Sequence, residues 1–477
     1  KFQIVKFKYS MQEKDNLIIN GIVFDTYLLN KEKWVKIYQL SSPQDSKEKL
    51  EKNTIYLVTE DKEIQNLITS LKVDRFIGVV IDNSRIDKII FEYSKKEDNL
   101  QQGDLLELII SDKRVFYQVV DGCTDIERLE ERNESGIIRG EAIQLGEWRE
   151  ESISFEKFGW VPSINTPVFK ADTSDIAVSH FSYPRYQLGI IPGTTLPSVI
   201  NLDEAISHHI ALLGVTGAGK SYIAREIINQ IKCDTKIICV DFNKEFSSTL
   251  SPSPKKIIKN EVETEIALRI NWLSAELERF GNQQDKTKIK EAQQEITKLL
   301  NQEIQDFLQN KSCNISVFEL PDVSNTTGIF DYTKYFFREL FNIAKMRQLE
   351  GNPFKICVVL EEAHTIIPEW NFSGSTDKVS QGLVNSIGQI ALQGRKYGIG
   401  FVVIAQRTAN VSKTVLTQCN TVICFQAFDD TSLNFLSNYI GKEMIQAIPN
   451  LKRFHAIVAG KAMSTNLPII VDLTRDT

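Results

Sequence analysis

The run Gly214-Val-Thr-Gly-Ala-Gly-Lys-Ser221 constrains this chain more than any other feature of its 477 residues. It follows an apolar strand segment, HIALLG (209–214). It opens a helical segment, Ser221–Ile231, whose Ile223, Ile227, Ile228 and Ile231 share one face. A GxxxxGK[ST] loop between strand and helix is a phosphate cradle. Its glycines let the backbone curl until successive N–H groups point at phosphate oxygens, and the helix start adds partial positive charge. Gly214, Val215, Thr216, Gly217, Ala218, Gly219, Lys220, Ser221 and Tyr222 are the candidate contacts for ATP. Lys220 is expected to reach the β- and γ-phosphates, and the Ser221 hydroxyl to ligate Mg²⁺.

Such a loop needs a carboxylate at the end of a neighbouring buried strand. Lys355-Ile-Cys-Val-Val-Leu-Glu-Glu-Ala-His364 supplies it, an apolar run ending in two consecutive acids. Glu361 is expected in the Mg²⁺ shell, and Glu362 to orient or deprotonate the attacking water. Two buried like charges repel, so a metal, or a raised pKa on one of them, must compensate. Gln406 ends the next apolar run, GFVVIAQ (400–406), where a γ-phosphate or water sensor would stand. Before that run lies Gly394-Arg395-Lys396-Tyr397-Gly398. Arg395 is the candidate arginine finger or sensor of phosphoryl charge; a solvated surface role is the alternative. Asn243-Lys244-Glu245-Phe246 lacks the Asp of a guanine-reading NKxD and lies too close to the loop, which argues against a GTPase.

From Asn201 onward, continuous apolar runs recur: HIALLG, KIICVD (236–241), NISVFEL (314–320), KICVVLE (355–361), GFVVIAQ and NTVICFQ (420–426). Strands buried on both faces read this way, so a predominantly parallel α/β sheet is predicted. PIIVDL (468–473) is read as its edge strand. Between the second and third strands, Ile266, Ile270, Leu273, Leu277 and Phe280 recur at helical spacing. Ile289, Ile296, Leu299 or Leu300, Ile304 and Phe307 then do the same. An αα-hairpin is predicted, either covering the core or meeting a partner. Upstream, FIGVVI (76–81), KIIFEY (88–93), LLELII (105–110), RVFYQVV (114–120) and GIIRGEAIQL (136–145) predict a small barrel or sandwich. Val161–Pro197, with five prolines, reads as an extended surface linker. The first 70 or so residues mix a strand-like IYLVT (55–59) with a helical EIQNLITSLK (63–72) and stay unassigned.

Composition sets the outer limits. Lys plus Arg is 56 and Asp plus Glu 62, a net charge of -6, which argues against a generally basic nucleic-acid binder. A narrow basic lining on an acidic body remains compatible. No apolar run approaches the ~18 residues of a membrane span, and KFQIVKFKYS lacks the apolar core of a secretion signal. The chain does not begin with Met, so the numbering can start inside a longer protein. Seven cysteines form no CxxC pair, and His208–His209 is the one close histidine pair. A reducing cytoplasm without disulfides or zinc is the expectation.

Taken together, LLGVTGAGKS (212–221), VDFNKEF (240–246), VVLEEAHTIIP (358–368), GRKYGIGFVVIAQR (394–407), VLTQCNT (415–421) and AIVAGKAMSTNLPIIV (456–471) resemble the HerA family of hexameric ATPases, within the HerA/FtsK group of RecA-like motors. IGVV (77–80) and GDLLEL (103–108) look like the HAS-barrel that precedes such motors. The segment patterns and the resemblance, which does not cover the first 70 or so residues, divide the chain into three parts. Residues 1–70 are an unassigned α/β segment. Residues 71–185 are a HAS-barrel-like β domain with the proline-rich linker. Residues 186–477 are a RecA-like P-loop domain with a helical insertion at 260–312.

The resemblance also implies a ring of six copies, with ATP at each interface. Glu361, Glu362 and Gln406 would act within one copy, and an arginine from the neighbour, with Arg395 the best match, would complete the site. Two positions depart from the family pattern. His208 stands where many relatives carry Arg, and Gln426 where relatives often carry Arg. Neither removes a phosphate or metal ligand, though hydrolysis could be slow.

The family resembles double-stranded DNA translocases that work with a nuclease, or in bacteria with nuclease or sirtuin-type NADase effectors in anti-phage defence. No nuclease or NADase motif occurs here, so an effector would be a separate protein. Lys378 and Lys413, in Gly/Ser/Thr-rich segments, are the candidate DNA-backbone contacts. The alternative function is an ATP-gated scaffold ring that assembles and activates an effector with little translocation. Conjugative-transfer ATPases share the motor core, but the EEAH and GRKYG details fit them less well.

Overall fold

The computed structural model describes residues 3–9, 17–29, 31–40, 42–58, 73–93, 99–129, 133–241, 245–250, 253–277, 285–319, 326–369, 378–465 and 467–474. The chain forms two compact units, Lys1–Val178 with Ile191–Leu196, and Ser179–Ile190 with Pro197–Thr477.

In the first unit, six strands close into an antiparallel barrel: Phe76–Val80, Lys88–Tyr93, Asn133–Arg149, Lys113–Leu129, Leu105–Ile110 and Pro167–Lys170. The last pairs with both Phe76–Val80 and Leu105–Ile110 and so completes the closure. It comes from the proline-rich stretch expected to be a linker, and that expectation is corrected. Proline tolerates the first position of a strand, where its missing N–H costs no ladder bond, and Val168 is fully buried in the barrel core. Glu107 of GDLLEL is buried too, held by Arg114 at 2.6 Å and Arg75 at 3.1 Å. Its role there is structural.

The unassigned N-terminal segment is a further antiparallel sheet built on Ile4–Tyr9, Leu17–Leu29 and Glu32–Gln39. Tyr38 stacks on Phe76 of the barrel at 4.9 Å. The helical reading of 63–72 lies outside the described residues.

The second unit is an eleven-stranded sheet. From Thr421–Cys424 it runs through Ile210–Leu213, Ile399–Ala405, Ile356–Leu360, Lys236–Val240 and Ile315–Phe318 to Lys255–Lys256, every pair parallel. On the other side His455–Gly460, Ile469–Asp472, Arg185–Ile190 and Pro197–Asn201 add antiparallel pairs. Ile469–Asp472 is therefore interior, not the expected edge. The strands that cover it come from the proline-rich stretch, whose period-2 signal is weak.

The helical insertion is present as Asn260–Leu277 and Lys286–Gln309. Ile266, Ile270, Leu273, Ile296, Leu300, Ile304 and Phe307 are buried, as their spacing predicts. Leu277 departs from the pattern at 51% exposed, and Phe280 lies outside the described residues. A third helix, Thr326–Leu349, packs against both. Its Phe336 ring stacks on Phe318 at 4.0 Å, which ties the helical layer to the sheet. No helix among the described residues is long and apolar enough to cross a membrane.

Candidate active site

Parallel strands carry their site at their C-terminal ends, where the loops leave in register. Leu213 pairs with Ala405, Val403 with Leu360, and Leu360 with Val240. The residues that follow therefore come out side by side: the phosphate loop, Gln406, Glu361 with Glu362, and Asp241.

The loop's shape follows from its glycines. Gly214, Gly217 and Gly219 have φ of 141°, 77° and 123°, values that side-chain-bearing residues rarely adopt. At Gly219 a Cβ would also lie 2.8 Å from the Phe454 ring and 3.1 Å from Phe425. Helix Lys220–Ile231 starts at that point and buries Ile223, Ala224, Ile227, Ile228 and Ile231 on the sheet. That burial fixes the direction in which its first N–H groups point. Lys220 is buried, and its Nζ donates to the Val215 carbonyl at 2.9 Å, so the ammonium lies across the loop's mouth.

Three side chains then link loop to acids. Thr216 Oγ1 donates to Gln406 Oε1 at 2.8 Å, and Gln406 Nε2 donates to Glu362 Oε1. His364 Nδ1 faces Glu362 Oε2 at 3.3 Å. Glu362 itself has φ 47° and ψ 52°. A left-handed non-glycine residue costs about 1–3 kcal/mol and persists only where its surroundings enforce it. The turn explains how adjacent acids serve one site: Glu361 stays buried at the strand end while Glu362 swings toward Gln406.

Asp241, fully buried on the next strand, accepts from Ser247 N at 2.9 Å and Ser247 Oγ at 3.2 Å. Burial first, then Cys357, Asp241 and Glu361, push the Cys239 thiol well above its ordinary value.

Oxygen donors of this kind suit Mg²⁺, which prefers hard ligands. The described residues contain no group of three His, Cys, Asp or Glu able to hold a metal by itself. Mg²⁺ ordinarily takes one or two protein oxygens and completes its shell with phosphate and water, so Ser221 with Glu361 fits and an all-protein cage is not required.

Arg395 is not brought to this group. It is exposed, in the turn Gly394–Tyr397 that precedes strand Ile399–Ala405, and so lies at the opposite edge of the sheet. Seven residues at about 3.3 Å each separate the two edges by roughly 20 Å. The glycines of the same motif have a packing role. Gly398 has φ 75°, and a Cβ there would lie 2.0 Å from the Phe354 carbonyl oxygen.

Other expected positions are equally specific. Lys413 is exposed, its backbone N–H bonded to Glu369 Oε2 at 2.7 Å, whereas the Lys378 side chain lies outside the described residues. Gln426 supports the loop through its carbonyl, which accepts from Val215 N at 2.8 Å. His208 and His209 are buried at the far edge, away from the phosphate loop.

Three neighbours of the site escaped the sequence reading. Asp241 could have been found, as an acid ending a buried apolar run. His364 was visible only as part of EEAH. Phe454, more than 200 residues from the loop, carries no local signal.

Residues 186–349 match the family described as Helicase HerA, central domain. Probable helicase MJECL08 of Methanocaldococcus jannaschii is 22% identical over 518 residues, covering 88% of this chain and 97% of that protein. DNA double-strand break repair helicase HerA of Sulfolobus acidocaldarius is 21% identical over 379 residues, covering 66% of this chain and 74% of that one. Among solved structures, VirB4 of Thermoanaerobacter pseudethanolicus aligns with a TM-score of 0.40 at 10% identity, covering 62% of this chain and 98% of the other. Beside the complete phosphate loop and the paired acids at the neighbouring strand end, residues 186–349 carry the match to the HerA central domain, and the chain is similar over most of its length to proteins named as HerA or probable helicases.

Proposed function

We propose that this ATPase is a DNA motor, a homohexameric ring that couples ATP hydrolysis to movement along double-stranded DNA. The observation that carries the reading is the hydrogen-bonded chain from Thr216 through Gln406 to Glu362. It joins the loop that would hold the γ-phosphate to the carboxylate that would activate water. Lys220 would bind the β- and γ-phosphates, and Ser221 with Glu361 would hold Mg²⁺, which would supply neutralisation of phosphate charge. Glu362 accepts the proton of the attacking water, and Gln406 reports the γ-phosphate to it. Arg395 acts on a neighbouring copy's nucleotide; its exposure and its distance from its own loop support that reading.

DNA contacts through Lys413 and Lys378 would be backbone contacts and steeply salt-dependent. ATP turnover with and without duplex DNA, at low and at high salt, tests the motor. Equal turnover at low salt counts against it, and Lys220→Ala, which should lose ATP binding, anchors the assay.

An effector, a nuclease or an NADase in anti-phage defence, would dock on the helical insertion. Leu268 is 67% and Trp272 38% exposed, one helical turn apart on Asn260–Leu277. Six copies of a weak contact add avidity. Removing residues 261–310 should abolish copurification of the effector while sparing ATP binding; an effector that still copurifies rejects this docking face.

A further inference from the structure

Phe454 occupies an unusual position. It precedes strand His455–Gly460 and adopts φ 62°, left-handed for a bulky residue. Two backbone bonds impose that conformation: its N–H donates to the Ala218 carbonyl at 3.1 Å, and its carbonyl accepts from Leu473 N at 2.9 Å. Strain of this kind gathers at ligand clamps. The ring lies against Gly219 at the start of the phosphate-loop helix. Tyr222 meets it edge to face, centroids 5.8 Å apart at 71°. The Arg453 guanidinium sits over it at 4.9 Å.

Packing alone does not require this arrangement. Phe425, fully buried, already walls Gly219 from the same side. Phe454 and Tyr222 are only half-buried and Arg453 is exposed, so the group faces outward beside the loop. The loop's N–H groups hold the α- and β-phosphates, and the helix start is where the nucleoside must leave them. A flat aromatic ring and a planar guanidinium at that exit are suited to a nucleobase, since both stack on π faces.

We propose that Phe454, Arg453 and Tyr222 form the nucleobase shelf of the site, with the base stacked on the Arg453–Phe454 pair and Tyr222 closing the side toward the ribose. This rests on the ATP-site reading and specifies how the nucleoside half is held. The contribution assigned to the shelf is stacking.

The test separates the two halves of the ligand. Binding of ATP and of inorganic tripolyphosphate is measured for the full chain and for Phe454→Gly, a residue that suits the left-handed backbone. Stacking of a base is lost at a cost that corresponds to about tenfold or more in affinity. ATP affinity should fall by that much while tripolyphosphate affinity stays within about twofold, and Phe454→Tyr should restore ATP binding. Equal loss for both ligands would make Phe454 a wall of the phosphate loop and overturn the shelf, as would unchanged ATP affinity. Lys220→Ala should weaken both ligands. If it weakens neither, the nucleotide-site reading itself has failed, an outcome distinct from failure of the shelf.

Discussion

Gln406 donates its side-chain N–H to Glu362, although the two residues follow the ends of separate strands and lie 44 positions apart. The same amide accepts from Thr216 of the phosphate loop. One side chain thus touches both the group that would meet the γ-phosphate and the group that would activate water.

Changing either end of that link should separate binding from turnover. Glu362→Gln should bind ATP like the parent and lose about 10²–10⁴-fold in kcat, the usual contribution of a positioned base. Gln406→Ala should lower kcat with little change in ATP affinity. Steady-state kinetics beside equilibrium binding read both. Parental kcat in Glu362→Gln would remove the base assignment.

Arg395 makes a different prediction, because roughly 20 Å of strand separates it from its own loop. Arg395→Ala should depress ATPase activity in uniform assemblies. Mixing it with Glu362→Gln should restore part of the activity, since some interfaces then pair an intact arginine with an intact site. No recovery at any mixing ratio would argue that Arg395 does not act across an interface.

Gly398→Ala should destabilise the second unit by about 2 kcal/mol or more, through its positive φ and the collision with the Phe354 carbonyl. The denaturant midpoint measures it. An unchanged midpoint would mean that the turn relaxes and that this glycine is present for another reason.

His209 makes stability depend on pH. Its Nδ1 accepts from Phe401 N–H at 3.1 Å, and its Nε2 faces the Ala391 carbonyl at 2.7 Å. The neutral ring with its proton on Nε2 satisfies both. Burial first, and then the charges of His208 and Arg395, hold its pKa below the ordinary value, while the Ala391 bond opposes the shift. The unfolded chain therefore binds this proton more readily. Stability should be complete above about pH 6.5 and decline as pH falls toward the lowered native value. Thermal melts from pH 8 to pH 5 should show the decline, and His209→Gln should flatten it. Parallel melting curves for parent and variant would assign the acid sensitivity elsewhere.

Most of the parallel sheet was legible from contiguous residues. Apolar runs such as Ile356–Leu360 and Phe401–Ala405 are buried on both faces, so they announce themselves without knowledge of their neighbours. The barrel was less complete, because its closing strand Pro167–Lys170 is short and begins with proline. Helix Thr326–Leu349 went unread although its rings Tyr332, Phe336 and Phe337 are buried. Its aromatic and charged residues blur the helical period. GRKYG was read for its cation, yet its Gly398 answers to packing.

Sequence alone carried the motifs: a phosphate loop in strand–loop–helix context, two acids and a glutamine at the ends of apolar runs. These are local facts, since backbone N–H groups and strand termini are set by neighbouring residues. Tertiary structure alone decided which of them meet. Strand order puts Ile399–Ala405 between the phosphate-loop strand and the acid-ended strand, so Gln406 reaches both. The direction of that same strand sends Arg395 to the far edge, and the return of the chain brings Phe454 against Gly219. Register and connectivity are properties of the packed sheet, and no single segment contains them.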